Sequence, residues 1–138
     1  MELDRALAFV ADRRGSVLTT LKRDGRPQLS NVGHAVADGV IRISVTDGRA
    51  KTNNLRRDER ASLHVTSDDF WSWVVIEGRA ELTPVATAPD DDTVEELIDY
   101  YRTLSGQHPD WDDYRRAMVA DYRLMIRIHP THAYGQLP

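Results

Sequence analysis

Val17-Leu-Thr-Thr-Leu-Lys-Arg-Asp-Gly-Arg-Pro-Gln-Leu-Ser-Asn-Val32 is the stretch that decides the fold. Two strand-length segments, Val17 to Lys22 and Arg26 to Val32, flank Arg23-Asp24-Gly25, and Asp-Gly supplies the positive-φ residue that a tight hairpin needs. A second such pair, Asp38-Gly39, introduces Val40 to Thr46. Here Ile41, Ile43 and Val45 alternate with Arg42, Ser44 and Thr46, which predicts a strand with one face in the core and the other free for a ligand. Ala61, Leu63 and Val65 alternate in the same way with Ser62, His64 and Thr66. Trp71 to Leu82 reads as a long strand, bent at Gly78. Tyr122 to His129 reads as a last strand, stopped by Pro130. These are about six strands in meander order. Strands joined mostly by short turns cannot build a doubly wound parallel sheet, which needs a crossover helix between successive strands. A small antiparallel barrel is expected instead, because closure removes exposed edges.

Helices are expected at the periphery of this mainly β (α+β) fold. Leu3, Ala6, Leu7 and Val10 recur at helical spacing, predicting a helix over residues 3 to 13 ended by Gly15. Ala50 to Arg57 reads as a short helix between strands, and Pro84 to Pro89 as a loop. Val94, Leu97, Ile98 and Tyr101 predict another helix, started by the capping oxygens of Asp91-Asp92-Thr93. Asp110 caps a third, with Trp111, Tyr114 and Met118 on one side. The 138 residues (15.7 kDa) suit one domain, 1–138.

Hydrophobic residues make up 41% and charged residues 29%, the balance of a globular chain and not of a disordered one. Cysteine is absent, which excludes disulfides, thiolate metal sites, cysteine nucleophiles and iron–sulfur clusters. The longest apolar stretches, such as Trp73 to Ile76, fall far short of the ~20 residues that cross a bilayer. The opening MELDRALAFVADRR carries early acids and no cleavage pattern. The expectation is a cytoplasmic protein, neither exported nor membrane-embedded. Residues 89 to 113 hold nine acids against Arg102, so this segment carries −8 and the rest of the chain +4 within a net charge of −4. A mildly basic barrel with an acidic appendage suits a small anionic ligand. Nucleic acid would favour a broader basic face.

Neither GxGxxG nor GxxxxGK[ST] occurs, and there is no GxSxG elbow. His129 and His132 lie close in sequence, but Pro130 between them breaks the helix that would make a metal pair, so no metal is expected. What remains is the basic run Arg49, Lys51, Arg56, Arg57 and Arg60. Such a run is often a solvated helix face. This one follows Asp47-Gly48 and leads into a helix N-terminus, where free N–H groups and the dipole favour an anion, while Asn53 and Asn54 add neutral donors. Trp71 and Trp73 fall on one strand face at period two, one suited to the core and the other to covering a planar ring. Gln28, Ser30, Ser44 and Thr46 are short polar residues able to meet the edge of a heterocycle, or simply solvent.

The stretches Gly15 to Asn31, Gly48 to Arg57, Ala88 to Leu97 and His108 to Tyr114, in this order over nearly the whole chain, resemble the actinobacterial split-barrel proteins of the flavin/deazaflavin oxidoreductase (PPOX-class) family. They are most similar to the branch that uses coenzyme F420. The resemblance implies a split β-barrel homodimer with two cofactor sites between subunits, and a deazaflavin whose lactyl-phosphate and oligoglutamate tail is anionic. It also implies site residues. Arg49, Ala50, Lys51 and Asn54 match the segment that binds the tail and phosphate. Arg26, Pro27, Gln28 and Ser30 match the strand beside the cofactor, with Ser44 and Thr46, and Trp71 matches an aromatic reaching in from the partner subunit. Pyridoxamine-phosphate oxidases share the fold and use FMN, with a C-terminal substrate-binding segment carrying Trp and Arg. This sequence finishes His132-Ala-Tyr-Gly-Gln-Leu-Pro138, so vitamin B6 oxidation is not expected. The expected activity is transfer of a hydride from reduced F420 to an electron-poor small molecule such as an enone, quinone or tetrapyrrole. No catalytic residue is identifiable. The alternatives are an FMN-dependent flavin reductase or oxidase, and a non-catalytic F420 carrier or sensor.

Overall fold

A computed structural model describes residues 1–138. Seven strands form one antiparallel sheet: β1 (Gly15–Leu21), β2 (Pro27–Gly33), β3 (Ala35–Ala37), β4 (Val40–Thr46), β5 (Arg60–Thr66), β6 (Trp73–Leu82) and β7 (Arg123–Gln136). Four helices accompany them: α1 (Leu3–Ala11), α2 (Ala50–Arg57), α3 (Asp92–Ser105) and α4 (Trp111–Ala120). The sheet curls into a half-barrel of the split-barrel type, as expected. Its order is β2-β1-β5-β6-β7-β4-β3, however, and not a simple meander. β1 leaves its hairpin partner to pair with β5, and β4 pairs with β7. Non-local pairing of this kind is chosen by which apolar faces fit together, and turn signals do not report it.

The Asp24-Gly25 hairpin forms as read, and Asp38-Gly39 also closes a hairpin, with a strand not foreseen. Asp38 and Gly39 both adopt positive φ (54° and 74°), turning the short β3 into β4. β3 was missed because three residues carry too little alternation to register. The helix over residues 3 to 13 stops earlier, at Ala11 with Asp12 as cap, and Gly15 opens β1 instead of ending α1. Tyr122 is not in the last strand either. It takes a φ of 54° in the turn ahead of β7.

Pro130 does not stop β7. The strand continues to Gln136 because the β6–β7 register slips at Glu77/Gly78, where Gly78 pairs with Pro130 and Glu77 with His132. Proline lacks a ladder N–H and is tolerated at such a bulge. Gly78 makes the close approach possible, since a Cβ there would stand 2.6 Å from the His129 carbonyl oxygen.

The inner face of the sheet is lined by Leu18, Ile41, Ile43, Leu63, Ile76, Leu124, Ile126 and Ile128, and is plugged by Ala6 and Val10 of α1 and Leu55 of α2. A second cluster lies on the opposite face of β7, where Met125 packs under Val94, Leu97 and Ile98 of α3 and Tyr114 of α4. Arg42 of β4 and Arg127 of β7 both bond Glu96 of α3. The face of β4 expected to be free is therefore partly roofed. The outward rows Leu29–Thr19–Ser62–Glu77–His132 and Asn31–Val17–His64–Val75–Tyr134 belong to neither cluster. No helix is long and apolar enough to cross a membrane.

Candidate anion-binding site at the start of the second helix

The turn into α2 is built by local chemistry. Gly48 takes a φ of 83°, the Asp47 N–H donates to the Tyr122 carbonyl at 2.9 Å, and the Thr52 hydroxyl donates to the Thr46 carbonyl at 3.0 Å. Arg49 stands at the N-cap in extended conformation and no side chain caps the helix. The first N–H groups of α2 are thus left to solvent or to an anion, which the helix dipole favours.

The basic run divides into cations that are occupied and cations that are not. Arg56 pairs with Asp47 at 2.6 Å. Arg57 donates to the Leu21 carbonyl at 2.6 Å and to Asn54 Oδ1 at 3.2 Å. Arg60 bonds Asp58, and this bond holds the Asp58 carboxyl down at about 2. Arg49 and Lys51 take part in none of the ion pairs that occupy the run. The Lys51 ammonium is half-buried, and burial lowers its pKa, with like-charge repulsion from Arg49 and Arg123 acting in the same direction. An anion placed there would relieve all three cations.

On one flank of α2 a chain of side-chain bonds reaches the β1–β2 hairpin. Asn54 Nδ2 donates to Thr20 Oγ1 at 3.1 Å, the Thr20 hydroxyl to Gln28 Oε1 at 3.1 Å, and Gln28 Nε2 to Ser30 Oγ at 2.9 Å. Thr20 is fully buried, so its satisfied hydroxyl fixes Asn54 and Gln28 with respect to each other. Arg26 and Pro27 lie exposed at the start of β2, the Arg26 N–H donating to Asp24 Oδ1 at 3.0 Å. A groove of about 650 Å³ is lined by Arg23, Ala50, Asn53, Asn54, Arg56 and Arg57. Ser44 and Thr46 lie outside this groove, on the outward face of β4, where Thr46 pairs with Arg123.

The structure therefore brings Ala50, Asn54, Gln28 and Ser30 to one side of α2, and Arg49, Lys51 and Thr46 to its other side. It does not bring Trp71 there. Trp71 precedes β6 and is 71% exposed, because the turn Ser67 to Ser72, closed by a Ser67 N–H to Ser72 carbonyl bond of 2.8 Å, lifts it off the sheet. It stacks edge-on with Phe70 at 5.2 Å. The seven residues of β5 separate it from α2, about 20 Å at the usual strand rise. Sequence reasoning missed Thr20, Arg23 and Arg123. Arg23 was hidden in a turn signal and Arg123 in a strand alternation.

A curled antiparallel half-barrel with an open helix N-terminus on its rim defines the class, a split-barrel protein. Residues 3–136 match the pyridoxamine 5'-phosphate oxidase family model, and the chain belongs to that family. It is 36% identical over 80 residues to the F420H(2)-dependent biliverdin reductase of Mycobacterium tuberculosis (strain CDC 1551 / Oshkosh), a match that spans 56% of each chain. Among solved structures, one described as an F420 reductase superposes with a TM-score of 0.73 at 22% identity, covering 94% of this chain and 95% of its own. The conserved hypothetical protein Rv2991 from Mycobacterium tuberculosis superposes with a TM-score of 0.76 at 25% identity, covering 98% and 84%.

Proposed function

We propose that this protein is a reductase that carries a hydride from reduced coenzyme F420 to an electron-poor small organic molecule, working as a homodimer. The observation that supports it most is the pair Arg49 and Lys51, without acid partners beside an uncapped helix start. This donor set fits the anionic phosphate and glutamate tail of the deazaflavin. The relative named for F420H(2) supports the same cofactor.

When bound, the deazaflavin supplies the hydride chemistry. The chain supplies grip and orientation. Arg49, Lys51 and the first N–H groups of α2 hold the anionic end. Ala50 and Asn54 would form the wall beside it, and Gln28 and Ser30, fixed through Thr20, would supply polar atoms to the heterocycle, with Arg26 and Pro27 at the exposed start of β2. Ser44 and Thr46 bound the other side.

The dimer rests on the outward rows of the sheet. Leu29 and Trp71 remain 59% and 71% exposed there and beside it, with Phe70 and Tyr134, and no helix covers them. A partner docked on this face brings its own Trp71 toward the site.

Titration of the pure protein with oxidised F420 and, separately, FMN tests the reading. Deazaflavin fluorescence should saturate at one equivalent per chain, and preference for FMN would sink it. The family match favours FMN as the second reading, and such a protein would purify yellow.

A further inference from the structure

We propose that a second binding site lies at the end of β5 remote from α2, and that it takes an organic cation whose nitrogen bears no N–H, such as a quaternary ammonium head. The inference stands apart from the cofactor reading, because none of the residues that line this site belongs to α2 or to the groove beside it.

A cavity of about 190 Å³ opens there, lined by His64, Thr66, Phe70, Trp71 and Trp73. Its walls are rings set at steep angles. Phe70 and Trp71 meet edge to face at 5.2 Å and 83°, and Trp73 is tilted by 50° against His64 at 5.7 Å. Tyr134 stands edge-on to Trp73 at 6.1 Å and steadies that wall. Phe70 and Trp71 are held out in water at a cost, since Phe70 takes a φ of 78°, a conformation that a bulky side chain avoids. Four hydrogen bonds in the turn Ser67 to Ser72 enforce it. The Phe70 N–H donates to the Ser67 carbonyl at 2.9 Å, the Ser67 hydroxyl to Asp69 Oδ1 at 2.5 Å, the Trp71 N–H to the same oxygen at 3.2 Å, and the Ser72 N–H to Ser67 Oγ at 3.1 Å. Strain that its surroundings over-determine, spent on holding two large apolar rings in solvent, is characteristic of a surface preorganised for binding.

Charge and size select the occupant. No lysine or arginine lines the cavity. The turn carries Asp68 and Asp69, and the bonds from the Ser67 hydroxyl and the Trp71 N–H hold the Asp69 carboxyl below its ordinary pKa, so that it stays charged. The neighbouring outward rows contain Glu77 and likewise no lysine or arginine. Arg60 and Arg79, at the opposite end of the β5–β6 pair, are engaged by Asp58 and Glu59. Electron-rich ring faces beside unopposed carboxylates attract a cation, and a methylated ammonium head is the form that aromatic cages hold. A primary ammonium would need acceptors for three N–H groups, and only His64 and Thr66 among the lining side chains are polar. The volume is below the roughly 300 Å³ at which pockets for drug-sized molecules begin, so one compact head group fits.

The test titrates the cofactor-free protein with choline and with dimethylbutanol, its uncharged carbon isostere, at constant ionic strength and pH 8, above the ordinary histidine pKa of about 6.5. Tryptophan fluorescence should saturate with choline, and the methyl protons of bound choline should shift upfield in NMR, as ring faces on several sides require. Choline should bind more tightly than the isostere by about fivefold or more, and Trp71→Ala should weaken choline by a similar factor, with Trp71→Phe in between. Trp71→Ala should melt like wild type, because Trp71 is 71% exposed. Phe70→Gly should melt at or above wild type, because it relieves the positive φ, and should still lose choline. The proposal is overturned if wild type does not bind choline, if the isostere binds as well, or if Trp71→Ala binds unchanged. It is also overturned if Phe70→Gly melts well below wild type, which would make Phe70 a structural residue. Choline binding by Leu29→Glu but not by wild type would mean that a second copy of the chain fills the cavity, and would overturn it as well.

Discussion

At the scale of single residues the proposed function rests on Lys51. It takes part in no ion pair and is half-buried, with like-charge repulsion from Arg49 and Arg123, so an anion there would find an unpaired ammonium. Lys51→Ala should weaken deazaflavin binding by about 1.5–3 kcal/mol, the worth of a hydrogen bond to a charged group, and leave the melting temperature near that of wild type. Unchanged affinity in a fluorescence titration would remove it from the site. His34 serves the fold instead. It is fully buried, with Nε2 2.8 Å from the Val10 carbonyl and Nδ1 2.8 Å from the Ser16 hydroxyl. A carbonyl only accepts, so Nε2 carries the proton and Nδ1 accepts from Ser16. Burial lowers the His34 pKa from its ordinary 6.5. The unfolded chain therefore takes up a proton at a pH where the folded one does not, and stability should fall as pH drops below about 6.5 toward the lower folded value. Urea melts at pH 7.5 and 5.5 measure this, and a His34→Gln variant should show a smaller difference between the two.

At the scale of elements, α3 depends on its cap. Asp91 accepts from the Val94 N–H at 2.9 Å and from the Thr87 and Ala88 N–H groups at 2.8 and 3.1 Å. Burial pushes this carboxyl up, but the bonds from Thr87, Val94 and Ala88 outweigh it and leave its pKa below the ordinary value. Asp91→Ala should cost about 0.5–2 kcal/mol in chemical denaturation. Because α3 carries Glu96, the partner of Arg42 and Arg127, local loosening should also reach the roof over β4. The β6–β7 pair depends on Gly78 in a different way. A side chain there meets backbone at 2.6 Å, and backbone cannot swing aside. Gly78→Val should therefore destabilise by about 1–3 kcal/mol or more through overpacking, against the small cost of an ordinary strand substitution. A melting temperature equal to wild type would mean that the bulge can move.

At the scale of the whole molecule, the half-barrel leaves the outward rows that run from β2 through β1 and β5 to β6 outside both apolar clusters. The exposed Leu29 lies in the same outward row as Thr19 and Ser62. If the proposed dimer forms on this face, wild type should scatter light as a dimer and Leu29→Glu as a monomer, with lower cofactor affinity if the second copy completes the site. A variant that stays dimeric would place the interface elsewhere.

Much of this was legible in the residues themselves, for reasons that are local. The Asp-Gly turns need positive φ, α2 spans Ala50–Arg57 as its turn and helix chemistry requires, and Asp91 and Asp110 cap the helices that they precede. Basic charge near Arg49 and Lys51 could be read because it is contiguous in the chain. The sequence by itself thus determined an antiparallel β protein whose short helix Ala50–Arg57 opens among basic residues. Only the tertiary structure decided the strand order, the passage of β7 through Pro130, the removal of Trp71 from the sheet and the pairing of Arg123 with Thr46 at the turn into α2. Each depends on a pairing between segments remote in sequence, and such pairings are set by which faces can be buried together, a property that no local window of residues contains.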